Sequence, residues 1–238
     1  MRTRPFVAAV RFGIALTGAV ALVARYFWAV CSCGLDVGSF FAYLTIQSNI
    51  LAVLVTAAAG AVALRSSADP VLLTSARTTV LALTGTSGIV FAVLVVEGQS
   101  RGTPLDVPWM DVVLHYCLPV LAALEWLHAP GRGRSQWRAI PATLAVVGCW
   151  GVVTFVRGAI IGWYPYFFLD PAQVSGIGEM AFFCVIALAI FSSLGALLVL
   201  ATRVDVPAVV LAAALAVLAV PRLHAGRLAE RRALALAA

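Results

Sequence analysis

Residues 39–64 read SFFAYLTIQSNILAVLVTAAAGAVAL, a run without one charged side chain. A helix crossing the hydrocarbon core of a bilayer needs roughly 20 predominantly apolar residues. This run meets that length, and similar runs recur along the chain. Of the 238 residues, 63% are hydrophobic and 11% charged, with a mean hydropathy of +1.03. The expected fold is therefore all-α: a polytopic transmembrane helical bundle with no separate soluble module.

Working outward from residues 39–64, the apolar runs predict six spans: 6–30, 39–64, 76–96, 108–128, 137–156 and 179–201. The first is a retained helix rather than a signal peptide. It is too long, Arg11 and Arg25 interrupt it, and no small-x-small cleavage site follows. The net charge of +6 comes from arginine alone, because the chain has no lysine. Those arginines sit in short connections, where they report orientation and imply no nucleic-acid partner. Arg2, Arg4, Arg65, Arg77, Arg132, Arg134 and Arg138 fall on one side. The other side has Arg101 and Arg157 only. The positive-inside rule then predicts a cytoplasmic N-terminus.

A further run, Val206–Val220, is short for a span. If it crossed, Arg222, Arg227, Arg231 and Arg232 would lie outside, against the charge rule. The expected organisation is thus a six-span domain over 1–201. Residues 202–238 then form an apolar segment and an arginine-rich cytoplasmic tail, and seven spans are the alternative.

Within the quoted run, Thr45, Gln47, Ser48 and Asn49 interrupt hydrocarbon-grade sequence. On a helix Thr45, Ser48 and Asn49 share a face. Polar groups at membrane depth need partners, so that face points into the bundle. Interhelical hydrogen bonding alone would explain such a face. The span at 108–128 holds Asp111-Val112-Val113-Leu114-His115-Tyr116-Cys117-Leu118-Pro119. Asp111 and His115 share a face. Pro119 has no N–H for the carbonyl of His115, which leaves that carbonyl free. Both spans enter from the same side, and Thr45 and His115 lie about 9–11 Å below that boundary at 1.5 Å per residue. A hydroxyl beside an imidazole is a minimal nucleophile–base pair, and a carboxylate such as Asp111 orients a base.

These motifs resemble the androgen-induced and androgen-dependent TFPI-regulating membrane proteins, and in particular their bacterial relatives. The family's Leu-Thr-aromatic/aliphatic-x-(Ser)-Asn stretch is matched by Leu44-Thr45-Ile46-Gln47-Ser48-Asn49. Its His-x-x-x-Pro-like helix, followed by an acidic residue, is matched by His115–Pro119 and by Glu125-Trp126. The loop with Trp163-Tyr164-Pro165-Tyr166 and Phe168-Leu169-Asp170 resembles the bacterial branch. The resemblance spans residues 6–200 and implies a multi-span hydrolase of fatty acid esters of hydroxy fatty acids. It implies Thr45 as nucleophile and His115 as general base, with no cofactor and with membrane lipid or lipid ester as the partner.

Asp111, Gln47, Ser48 and Asn49 are the supporting residues of this reading. Arg25 is a candidate for a substrate carboxylate, its alternative being to snorkel to the surface. The aromatic loop at 162–171 is read either as an interfacial belt or as a lid over a cavity, with Tyr164 and Tyr166 contacting substrate. Glu97, Asp106, Glu179, His128 and His224 read as surface residues. The five cysteines have no metal spacing. Haem or quinone binding would call for a second histidine at similar depth, which the sequence lacks. A non-enzymatic membrane protein, either a small transporter or a lipid-binding scaffold, stays open as the alternative.

Overall fold

The computed structural model describes residues 3–100, 106–129 and 133–203. The apolar run at 206–220, whose crossing is the seven-span alternative, and the arginine-rich tail lie outside the described residues, as does His224. Helix α1 runs Thr3–Phe27 and continues as a π-helical turn, Trp28–Ser32. A short α2, Val37–Ala42, leads into α3, Leu44–Arg65. Helix α4 spans Val71–Ser100. One turn of α5, Trp109–Val112, passes through a second π-helical turn, Val113–Cys117, into α6, Leu118–His128. Helices α7, Ala139–Ile161, and α8, Ile177–Ala201, complete the bundle. Among the described residues, six helical segments are long and apolar enough to cross a membrane. The chain is a polytopic helical membrane protein.

The core lies among α1, α3, α4 and α6. Of their membrane windows, 39–44% is buried, against 17% for α7 and α8. In lipid there is little hydrophobic force between helices, so close packing and internal polar contacts hold the bundle. Small residues provide that packing. At Gly18 of α1, a Cβ would meet Val53 of α3 at 2.7 Å and Leu118 of α6 at 3.0 Å. At Gly158 of α7, a Cβ would meet the Tyr164 ring at 2.0 Å.

Two irregularities shape the site. Tyr43 is extended (φ −66°, ψ 127°) and separates α2 from α3. The carbonyls exposed at this break are taken up by side chains. Trp150 Nε1 donates to Ala42 O at 2.9 Å, and Gln47 Nε2 donates to Phe41 O at 2.9 Å. The second irregularity precedes Pro119. Proline cannot donate to the carbonyl four residues back and its ring crowds it. The helix widens there, with Leu118 N bonded to Val113 O. The carbonyl of His115 then faces α4 at Gly88, where a Cβ would come within 2.2 Å of the oxygen. Only glycine fits that contact.

The first four spans are also tied by buried charge. Arg11 of α1 donates to Asp69 in the α3–α4 connection through Nη1 at 2.8 Å and Nη2 at 2.9 Å. Its Nε donates to Glu125 of α6 at 2.7 Å, and Nη1 also meets Ala59 O at 2.8 Å. Arg77 of α4 donates to Asp69 at 2.7 Å and to Glu125. Two cations and two anions thus close a neutral ring with every side chain at most 6% exposed. This corrects the reading of Arg77 as an orientation charge at a loop edge. Helix α4 begins at Val71, earlier than expected, so Arg77 lies inside the bundle and reports no side.

Candidate functional site

Thr45 sits in the first turn of α3, just past the Tyr43 break. That position decides what its hydroxyl does. Thr17, Thr78, Thr84 and Thr143 each donate to the carbonyl four residues back in their own helix, and Thr74 donates to that of Pro70 just before α4. The carbonyl four residues before Thr45, that of Phe41, lies across the Tyr43 break and accepts from Gln47 instead. Thr45 Oγ1 meets Ser87 Oγ of α4 at 2.7 Å and the Tyr166 hydroxyl at 3.3 Å. The neighbouring polar residues serve the backbone. Ser48 Oγ and Asn49 Nδ2 both donate to Thr45 O, at 3.0 and 2.9 Å. Gln47 satisfies a carbonyl at the break, while Ser48 and Asn49 bond the first turn of α3 just past it. Asn49 Oδ1 is buried with no partner among the described residues.

His115 lies in the π-helical turn and is 8% exposed. Its Nδ1 bonds the carbonyl of Asp111 at 2.9 Å. A carbonyl only accepts, so Nδ1 carries the proton and Nε2 of the neutral ring holds the basic lone pair. The imidazole stacks on Phe91 of α4, with centroids 3.9 Å apart and planes 13° apart. The carboxylate of Asp111 does not orient the imidazole. It turns to Arg25 Nε at 2.7 Å, because a buried carboxylate is better satisfied by a guanidinium than by a neutral ring. Asp111 acts on His115 through its backbone oxygen.

Thr45 and His115 are brought to the same turn of α4, at Ser87 and Gly88, as their matching depths predict. Their hydrogen bonds nevertheless go to different partners. Arg25 does not snorkel freely. It pairs with Asp111, its guanidinium lies 4.6 Å over the Trp28 ring, and its Nη1 is buried without a partner among the described residues.

The aromatic loop folds back onto the start of α3. Tyr166 packs on Tyr43 and Trp150, with centroids 5.7 and 5.9 Å apart, and stacks on Phe168. Leu169 is buried beneath it. Burial pushes the Tyr166 phenol above its ordinary pKa, so it stays protonated beside Thr45. Tyr164 takes a different place, its ring seated on Gly158 and edge-on to Phe155. Outside the spans, Asp170 accepts from Gln173 and Ala172, which holds its carboxyl below the usual range. His128 is exposed, as expected of a surface residue, whereas Glu179 is half-buried and accepts from Ser175 N at 2.7 Å.

A cavity of about 10 Å³ lies between α1, α3, α4 and α6, lined by Ile14, Ala52, Thr56, Arg77, Thr84 and Leu118 among others. That is about the minimum for one water. Among the described residues no histidine, cysteine or carboxylate cluster could hold a metal ion. The sequence reading gave no functional role to Ser87, Gly88, Asp69 or Phe91. No protein family, curated protein or solved structure matches the chain.

Proposed function

We propose that this protein hydrolyses lipid esters within the membrane, with Thr45 as nucleophile and His115 as general base. The observation that carries the reading is the Thr45 hydroxyl. It is set at a helix break, relieved of the usual bond to its own helix, and held by the hydroxyls of Tyr166 from the loop and Ser87, the latter on a turn of α4 that also packs against the histidine. A threonine hydroxyl attacks only if a base removes its proton, and the neutral Nε2 of His115 is such a base.

In the proposed reaction Thr45 Oγ1 bonds to the acyl carbon and its proton passes to His115. The tetrahedral intermediate expels the alkoxide, which takes that proton, and water then releases the acid from the acyl-threonine. The protonated Tyr166 hydroxyl donates to the carbonyl oxygen as negative charge develops on it. Arg25, with one buried N–H unpaired, receives a carboxylate on the substrate. The resemblance to hydrolases of fatty acid esters of hydroxy fatty acids agrees with an ester that also carries a free carboxylate. The lysine-free, arginine-rich composition agrees with a bacterial plasma membrane.

One observation favours a non-enzymatic reading. Gln47, Ser48 and Asn49 are all engaged in backbone bonds, as structural polar residues would be. Purified protein in nanodiscs, assayed by mass spectrometry on hydroxy-fatty-acid esters, separates the two. The hydrolase reading predicts turnover that Thr45→Ala and His115→Ala each abolish with little change in melting temperature. A folded wild type inert toward these esters would support the scaffold instead.

A further inference from the structure

We infer that Ser87 is a catalytic residue whose hydroxyl carries the proton between Thr45 Oγ1 and His115 Nε2. The inference rests on the hydrolase reading and concerns what connects the two groups. Thr45 Oγ1 meets Ser87 Oγ at 2.7 Å, a short hydroxyl–hydroxyl bond. Ser87 and Phe91 lie one turn apart on the same face of α4. Phe91 carries the His115 imidazole on its ring. Gly88, about 100° further around the helix, abuts the carbonyl of His115. The histidine therefore occupies the sector of α4 bounded by residues 88 and 91, and Thr45 meets the same helix at residue 87. On that turn, Ser87 is the residue that touches Thr45 and whose side chain can both accept and donate a proton.

The other elements facing Ser87 do not supply that function. Tyr166, the second hydroxyl on Thr45, belongs to the loop and packs on Tyr43, Trp150 and Phe168. The carboxylate of Asp111 is held by Arg25. Thr86, adjacent to Ser87, is fully buried with its Oγ1 unpartnered among the described residues, so a hydroxyl at this level of α4 does not by itself reach either group.

The step balances. In the proposed relay the Thr45 O–H donates to Ser87 Oγ, and the Ser87 O–H turns to His115 Nε2, a bond the resting structure does not hold. As Thr45 Oγ1 bonds to the acyl carbon, the carbonyl π pair moves to its oxygen. The Thr45 proton passes to Ser87 while the Ser87 proton passes to Nε2. On collapse the imidazolium returns a proton to Ser87, and the original Ser87 proton count is restored as the leaving alkoxide is protonated.

The test uses the full chain in nanodiscs with a fluorogenic medium-chain fatty acyl ester. Four substitutions are compared: Ser87→Ala, Ser87→Gly, Ser87→Thr and, as a control, Thr86→Val. Loss of the relay should lower kcat by about 10²–10³-fold, in the range of general-base catalysis, with KM nearly unchanged. Ser87→Thr should keep activity within about 10-fold of wild type, because the hydroxyl remains. Thr86→Val should be as active as wild type. In mixtures of light and heavy water, the wild-type rate should bow as expected for two protons in flight, and the residual rate of Ser87→Ala should lose that bow. Should Ser87→Ala melt early, Ser87→Gly supplies the second hydroxyl-less variant. Hydroxyl-less variants as fast as wild type, or a linear wild-type proton inventory, would overturn the relay while leaving Thr45 and His115 in place. A wild type inert toward the ester would remove the hydrolase reading and the relay with it.

Discussion

Replacing Glu125 by glutamine tests whether the buried charge ring holds the bundle together. Glu125 accepts from Arg11 Nε at 2.7 Å and from Arg77. Glutamine keeps the shape, offers one acceptor oxygen, and turns an NH₂ group toward a guanidinium that has no lone pair to give. Two charge-assisted bonds are damaged, and the ring changes from neutral to a buried net positive charge. Removing one partner of a buried pair costs about 3–5 kcal/mol. For a domain of this size each kcal/mol shifts Tm by about 2–4 °C, so Glu125→Gln should melt about 6–20 °C lower. The double variant Arg77→Met/Glu125→Met removes one charge of each sign and leaves the two-bond Arg11–Asp69 pair intact. It should melt above either single variant, since replacing a buried pair by apolar residues is often neutral. Intrinsic tryptophan fluorescence in detergent follows both. A Glu125→Gln melt within about 2 °C of wild type, or a double variant no better than the singles, would refute the reasoning.

Three further outcomes follow from the geometry. Gly88→Ala places a Cβ 2.2 Å from the carbonyl oxygen of His115, so α4 and α6 must part; we expect a loss of about 1–3 kcal/mol by thermal melting together with loss of ester turnover. Tyr166→Phe should keep the fold, because the ring contacts persist, and should lower kcat by about 10²-fold as the carbonyl loses a donor, read in the ester assay. Cys31 and Cys33 are exposed on the face opposite the N-terminus, so an impermeant maleimide should label them in intact cells if the N-terminus is cytoplasmic; labelling only after permeabilisation would invert that orientation.

The spans were legible because hydrocarbon admits few alternatives. Any uncharged run as long as 39–64 has to satisfy its backbone internally, and a helix does so with no outside partner. The common depth of Thr45 and His115 was legible for the same reason, since helical rise turns sequence position into height. Partnerships between helices were not legible. Arg11 finds Glu125 across 114 positions and Asp69 across 58, and nothing local marks either carboxylate as its partner. The break at Tyr43 carries no proline or glycine. It is stabilised by Trp150, 108 positions away, and by Gln47. Because that break was hidden, Thr45, Ser48 and Asn49 read as one polar face, whereas only Thr45 keeps its hydroxyl free of the backbone. The freed carbonyl of His115 could be read from Pro119, but its docking on Gly88 could not.

The central claim is that Thr45 is the nucleophile, and covalent capture tests it most directly. Purified wild-type protein in nanodiscs is treated with an alkyl fluorophosphonate, digested, and the modified residue located by tandem mass spectrometry. The account predicts one adduct on Thr45 Oγ1, absent in Thr45→Ala and strongly slowed in His115→Ala, with both variants folded. A folded wild type that takes up no probe, or an adduct on another residue that persists in Thr45→Ala, would contradict it.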